Sequence, residues 1–519
     1  MVRSARRYRG RMVPPVIGGL MFRTALVAGL VAGNLLAAGC YGLRASSGGG
    51  QTKLAAPTAG RAELARHLDP ADIALPPGYR ARVIASGLTF PTGLAVDDRG
   101  TLYVVESGYA YGEVFTTPRL LRVEPDGRTA ELARGERAHA PWNGVDFYQG
   151  SFFIAEGGQL EGGRILRVDP DGSSHVLIDH LPSVGDHHTN GPRVGPDGLV
   201  YFGQGTATNS AVVGEDNHQF GWLARHPEFC DIPGRDVRLA GVNYTTADPL
   251  RGRGQAVTGA FLPFGTPSEA GQVIPGRVPC TGAIMRVPPA GGEAELVAWG
   301  LRNPFGLAWS PEGGLYVTEN SFDDRGSRPV WGTGDVLWKI EPGRWYGWPD
   351  YFAGEPLSHG DRFQPPGKRR PQRLLAEDPG KVPKPAGVLG VHSASTGLDF
   401  STSPAFGHVG EAFIAQFGDM APAVGKVLAP VGFRVVRVDP RSGAVEEFAA
   451  NAGDRVGPAS RFGGGGLERP VAVRFSPDGR TMYIADFGIM TVTKQGPQPR
   501  PGTGVVWAIT RDDAGGRRP

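Results

Sequence analysis

The chain has 519 residues, 40% of them hydrophobic and 20% charged, with 80 glycines, 46 prolines and a formal net charge of +3. So apolar and weakly charged a chain is not an intrinsically disordered one, and glycine in this excess without a collagen period marks a turn-rich fold. The near balance of charge, with no long Lys/Arg run inside the folded part, gives no footing to a nucleic-acid partner.

Arg3, Arg6, Arg7, Arg9, Arg11 and Arg23 precede or open an apolar run from Ala25 to Ala38. The run is too short for an ordinary membrane span and has the charged-then-apolar layout of a secretory signal. It ends in Leu36-Ala37-Ala38-Gly39-Cys40, which resembles the lipobox of bacterial lipoproteins with Ala37 in place of its usual Leu. Residues 1–40 are therefore expected to be a lipoprotein-type signal, with Met21 as an alternative start and Cys40 as the lipidated residue. Residues 41–75 read as a Gly/Ser/Ala-rich linker. The protein is expected to be exported to the periplasm or cell surface and held at the membrane by its lipid. Cys230 and Cys280 remain, and two leftover cysteines in an exported chain are expected to pair. No Cys-x-x-Cys-His occurs, so the chain carries no c-type haem of its own.

From residue 76 to 512 two kinds of segment alternate. The first is an apolar strand, a tight turn, most often with a Pro/Gly pair, and a second apolar strand, as in Gly93 to Glu106, Gly144 to Glu156, Gly191 to Gln204, Gly306 to Glu319, Gly397 to Gln416 and Ala472 to Asp486. The second carries an apolar strand into an Asp-Pro or Glu-Pro turn, as in Ile165-Leu166-Arg167-Val168-Asp169-Pro170. Six four-stranded units in series predict an all-β, six-bladed propeller. The last unit lacks an outer strand, and Arg82 to Leu88 is expected to supply it and close the ring. Residues 513–519 read as a flexible tail. The long connections, above all an insertion in blade 3 from 205 to 282, share one face of the disc, where function concentrates.

Superposing the repeats by their turns puts certain residues in one slot, the entrance to each innermost strand. They are Thr89 and Phe90, His187 and His188, Arg302 and Asn303, Ser393 and Ala394, and Glu468 and Arg469. The ends of the second strands, Glu106, Glu156, Gln204, Glu319 and Asp486, are expected at the same face. Arginines there suit an anionic ligand with carboxylates, a histidine suits general-base work, and carboxylates with loop carbonyls suit a hard cation such as calcium.

Asp186-His187-His188 with Arg193-Val194-Gly195-Pro196-Asp197-Gly198, then Gly300-Leu301-Arg302-Asn303-Pro304 and Tyr346-Gly347-Trp348-Pro349, resemble the soluble pyrroloquinoline-quinone (PQQ)-dependent glucose/sorbosone dehydrogenases. The resemblance implies a six-bladed propeller that oxidises an aldose or related sugar or aldehyde by hydride transfer to PQQ with calcium assistance, then passes electrons to a separate acceptor. It implies His187 as the base, oriented by Asp186, with Arg302, Asn303, Arg469 and Lys426 on the cofactor. It places calcium against Asn320, Ser321 and Phe322. The chain departs from the family pattern at Ser321-Phe322, where the family has Gly-Pro, at Gln204, where it has Asp, and in the 205–282 insertion. Two other functions stay open: a lactonase-type propeller hydrolase with its metal on Glu106, Glu156, Glu319 and Asp486, and a non-catalytic surface lipoprotein binding a partner or glycan by its loop face.

Overall fold

The computed structural model describes residues 66–110, 114–158, 162–219, 221–421, 427–494 and 496–512. The expected signal segment with Cys40, most of the linker, Lys426 and the tail from 513 lie outside the described residues. Six antiparallel four-stranded sheets follow one another as propeller blades, with innermost strands Pro91–Val96, Trp142–Tyr148, Thr189–Val194, Asn303–Trp309, Ser395–Phe400 and Pro470–Phe475. Strand Tyr79–Leu88 pairs with Gly504–Arg511 as the outer strand of blade 6, so the start and end of the propeller close the ring as expected. Residues 66–75, read as linker, belong to the propeller. Ile73–Ala74 adds a strand to the outer edge of blade 5, and Arg66 reaches Asp486 at 2.6 Å.

Each blade is pressed between two others, so its second strand is a continuous apolar run and not an alternating one. Phe152, Phe153, Ile154 and Ala155 are all buried, whereas the outer strand Ser174–Leu181 is mostly exposed. Glycine is needed where innermost strands meet backbone to backbone. A Cβ on Gly144, which has φ 100°, would lie 1.7 Å from the Gly191 carbonyl oxygen, and one on Gly397 would lie 2.7 Å from the Ala472 Cα.

At the hairpin-turn side, two arginines tie all six blades. Arg193 in blade 3 pairs with Asp146 of blade 2 and Asp399 of blade 5, each at 3.1 Å, and donates Nε to the Leu307 carbonyl of blade 4. Arg474 in blade 6 pairs with Asp146 at 3.2 Å and donates to the carbonyls of Leu94 in blade 1 and Val145 in blade 2.

Two long excursions leave this frame. The 205–282 insertion holds the strand pairs Val237–Ala240 with Ala270–Ile274 and Asn243–Ala247 with Gln255–Gly259, and the helical turns Glu215–Gln219 and Trp222–Arg225. The expected Cys230–Cys280 bond is not formed, and both are free thiols. Their segments are joined by Asp231 instead, whose carboxylate accepts from Ala207 N, Thr208 Oγ1 and Thr281 Oγ1. The second excursion, 340–386, was not anticipated. It leaves the third strand of blade 4 and climbs back along blade 3, where Trp348 N donates to the Gly300 carbonyl and Leu375 bridges to Leu239 of the insertion.

Candidate functional site

The second strand of every blade ends on a residue that faces the entrance of its own innermost strand. The registers are Pro91 with Glu106, Trp142 with Glu156, Thr189 with Gln204, Pro304 with Glu319, Ser395 with Gln416 and Pro470 with Asp486. All six of these acids and amides are buried, and they serve their own blades. Glu106 accepts from Thr89 N at 2.7 Å and pairs with Arg119; Glu156 accepts from Trp142 Nε1 and pairs with Arg164. Asp486 accepts from the backbone N–H groups of Glu468 and Arg469 at 2.9 and 2.8 Å. Glu319 accepts from Arg302 N and Trp338 Nε1, and burial pushes its pKa up to about 7. These carboxylates are spent on strand entrances, and among the described residues they do not come together at the metal-ligand spacing that a lactonase-type site requires.

One residue nearer the channel, a chain of amides runs around the loop-side mouth. Asn143 Nδ2 donates to Asn190 Oδ1 at 3.2 Å, Asn190 Nδ2 to Asn303 Oδ1 at 3.1 Å, Asn303 Nδ2 to Asn320 Oδ1 at 3.1 Å and Asn320 Nδ2 to the Ser395 carbonyl at 2.8 Å. Above it the mouth is walled by Tyr109, Phe305, Phe417, Met420, Phe487 and His188. His188 Nε2 is buried with no hydrogen-bond partner among the described residues, and burial pushes the ring's pKa down to about 4.

His187 stands beside this mouth in a defined protonation state. Its Nδ1 lies 2.8 Å from the Thr206 carbonyl oxygen and 3.1 Å from Thr206 Oγ1. A carbonyl only accepts, so Nδ1 carries the proton and Nε2 keeps its lone pair. Burial, then the cationic Arg302 and Arg325, hold the pKa of the ring well below the usual histidine value. Gly205 makes the close approach possible: a Cβ there would lie 2.2 Å from His187 Cβ and 3.0 Å from Asn303 Oδ1.

Arg302 is buried and four of its five N–H groups are engaged. Nε and Nη2 donate to the Asn209 carbonyl and Oδ1, Nη1 to the Asn320 carbonyl, and Nη2 also to Asp323 at 2.8 Å. Burial alone would raise the pKa of Asp323, but Arg302, Arg325, His392 and His187 outweigh it and hold the carboxyl below its ordinary range. Arg469 lies between the rings of Phe417 and Phe433, each 4.9 Å away, and its Nη1 donates to the carbonyls of Phe417, Gly418 and Asp419.

The entrance slots thus bring His187, His188, Arg302 and Asn303 together, with Arg469 across the mouth. Asp186 departs from expectation. Its carboxylate pairs with Arg325 at 2.7 Å and accepts from Asn217, while Thr206 orients His187. In the segment expected to hold calcium, the Asn320 carbonyl accepts from Arg302, the Phe322 carbonyl accepts from Thr333 Oγ1, and Ser321 N faces the buried Asp335. Thr206, Asn209, Asp323 and Arg325 were missed. The relay amides Asn143 and Asn190 did leave a signal, because each directly precedes the glycine that aligns the repeats, at Gly144 and Gly191.

No family model and no curated protein matches the chain. Solved structures do resemble it. The calcium structure of a Trichoderma reesei carbohydrate-active enzyme aligns over 86% of this chain and 98% of its own, at 16% identity and a TM-score of 0.50. The PQQ domain of pyranose dehydrogenase from Coprinopsis cinerea aligns over 85% and 97% at 15% identity, TM-score 0.49, and PQQ-bound aldose sugar dehydrogenase from Streptomyces coelicolor over 84% and 99% at 16% identity, TM-score 0.47. At such identities the likeness is one of fold, the six-bladed propeller described above.

Proposed function

We propose that the protein is an oxidoreductase that oxidises an aldose or related sugar or aldehyde by hydride transfer to PQQ with calcium assistance. The observation that carries this reading is the neutral His187 ring, fixed at Nδ1 and left basic at Nε2, beside the amide relay and the aromatic mouth. The chemistry of the mouth fits such a cofactor. Tyr109, Phe305, Phe417 and Phe487 line it with aromatic rings suited to a planar ring system, and Arg469, over the Phe417 ring, is a cation of the kind its carboxylates require, whereas Arg302 is already paired with Asp323. When bound, PQQ supplies the quinone that accepts hydride. For calcium, the Asn320 and Phe322 carbonyls and the Asp335 carboxylate are oxygens of the type that a hard cation takes, and each already accepts a hydrogen bond that calcium would share or displace. Lys426 remains a proposed cofactor contact.

In this reading His187 Nε2 receives the proton of the sugar hydroxyl, and Thr206 holds the ring in the tautomer that can do so. Asn303, fixed by Asn190 and Asn320, presents an amide beside the base. Electrons leave to a separate acceptor, and the chain is exported and anchored through Cys40. Among the described residues no helix is long and apolar enough to cross a membrane.

The test is reconstitution of the purified protein with PQQ and calcium, followed by dye reduction on a panel of aldoses. Saturable PQQ binding with calcium-dependent dye reduction is expected. Failure to bind PQQ at micromolar concentration sinks the proposal.

A further inference from the structure

Between His187 and the insertion lies a buried charge cluster that the proposed reaction does not itself use. Arg325, in the loop after the second strand of blade 4, faces three carboxylates from three parts of the chain. Its Nη2 lies 2.7 Å from Asp186, its Nη1 2.9 Å from Asp216 and its Nε 3.1 Å from Asp323. Asp186 directly precedes His187, Asp323 is the ion partner of Arg302, and Asp216 sits in the first helical turn of the insertion. A planar guanidinium can span such a set, whereas the point charge of a lysine cannot. The two loops are tightly apposed. A Cβ on Gly326 would come within 2.7 Å of the Asp216 carboxylate, and one on Gly214 within 2.2 Å of Ser327 Oγ. Asn209 Nδ2 donates to the carbonyls of Asp323 and Arg325, and Asn217 Nδ2 to Asp186, which completes the seam.

Resting on the reading of His187 as the base, we infer that Arg325 is the positioning residue of this site. It locks residues 206–219 of the insertion against the entrances of blades 3 and 4, and so fixes the His187 ring through Thr206 and the Arg302 guanidinium through Asn209 and Asp323. The start of the insertion is then a wall of the site and not a separate cover. The charged and titratable groups facing this cluster are Asp186, Asp216, Asp323, Arg302 and Arg325, with His187 and His392 beside Asp323 and Asp231 behind Asp186. With Arg325 removed, three carboxylates face Arg302 alone and the surroundings of His187 become negative, which raises the proton affinity of the ring.

The test compares wild-type protein with Arg325→Gln and Arg325→Lys, and with Asp216→Asn as the milder variant should Arg325→Gln fail to fold. In cofactor-free protein, hydrogen exchange over 206–219 is expected to rise by roughly tenfold or more in both Arg325 variants, because neither can span the three carboxylates. The titration of His187, followed by NMR of labelled histidine and assigned with His187→Gln, is expected to move upward in Arg325→Gln and less in Arg325→Lys. In PQQ-loaded protein kcat is expected to fall about 100-fold, as for a displaced catalytic group, and PQQ affinity to weaken as well, because Arg302 loses the brace that Asp323 shares with Arg325. Wild-type exchange and an unmoved His187 titration in Arg325→Gln, or in Asp216→Asn, would overturn the inference. Exchange and titration need no cofactor, so a wild-type protein inactive on every sugar would defeat the proposed function without touching this coupling.

Discussion

Arg193→Met keeps the apolar stem of the side chain and removes the guanidinium that joins blades 2, 3, 4 and 5 at the closed side of the channel. The consequences for the two carboxylates differ. Asp146 keeps Arg474 at 3.2 Å and the Val194 N–H at 2.9 Å. Asp399 keeps the N–H groups of Phe475 and Phe400 at 2.9 and 3.0 Å but loses its cation. One buried carboxylate is orphaned, not two, so the loss falls at the low end of the range for a broken buried pair, about 3 kcal/mol. For an unfolding unit of about 450 residues this shifts Tm by only about 3 °C, while the unfolding equilibrium moves by about a hundredfold. Urea denaturation followed by circular dichroism, with unfolding rates measured in parallel because so large a propeller need not refold reversibly, is therefore the better assay. Burial already raises the pKa of Asp399 in the folded protein, and losing Arg193 raises it further. A carboxyl with a raised folded pKa keeps its proton where the unfolded chain has lost it, so the stability it contributes is lost as pH rises. The penalty should be larger at pH 8 than at pH 5, and Asp399→Asn in the same background should recover most of it. An unchanged urea midpoint at pH 8, or further loss in the double variant, would refute the assignment of these groups as a tie across the blades.

Three further outcomes are expected. His187→Ala should lower turnover of the reconstituted enzyme by roughly 10²–10⁴ with PQQ affinity nearly intact, and wild-type turnover would remove the base from His187. His188, whose pKa burial depresses to about 4, should make the fold less stable as pH falls from 6.5 to 4, by about 3 kcal/mol; the folded state there binds fewer protons than the unfolded one. Raised carboxyls such as Asp146 and Asp231 slope the other way, so the readout is wild type minus His188→Gln, and equal slopes would contradict the buried, neutral ring. Gly205→Ala forces a Cβ to 2.2 Å from His187 Cβ and should cost about 1–3 kcal/mol of stability, with a turnover loss larger than any change in PQQ affinity; a fully active variant would show that the ring need not be held there.

What could be read without coordinates is what repeats. The alternation of strand pairs located all six blades, the missing partner of the last one pointed to 82–88 as the outer strand, and superposed turns put His187, Arg302 and Arg469 in equivalent slots. Contacts that depend on side-chain direction within a bend could not be read. Asp186 and His187 are neighbours, yet they lie in the bend before the innermost strand of blade 3, where one meets Arg325 and the other Thr206. Nor could the loops: Arg325 and Asn209 lie in stretches without periodicity, and the Tyr346-Gly347-Trp348-Pro349 segment carries no mark that it doubles back onto Gly300. The cysteines misled because Asp231 and Thr281 already join the segments that a disulfide would have joined.

Pseudo-symmetry offers a physical test of which buried polar residues belong to a ligand. At the end of the second strand every blade has the same requirement, an acceptor or amide to hold the entrance of the innermost strand, and every blade meets it alike, with Glu106, Glu156, Gln204, Glu319, Gln416 and Asp486. A metal or substrate lies at one place in the ring and cannot make one demand six times over, so a slot filled alike around the ring is answering the fold. The entrance slot itself is filled differently in each blade: Phe90 stacks on Phe487, His188 lines the mouth while His187 turns to Thr206, Arg302 reaches into the insertion, and Arg469 lies between two phenylalanines. No common structural need accounts for an apolar ring, an imidazole and a guanidinium at equivalent positions. Under the proposed function a single asymmetric ligand at the mouth would impose that asymmetry, because each blade would then meet a different edge of it.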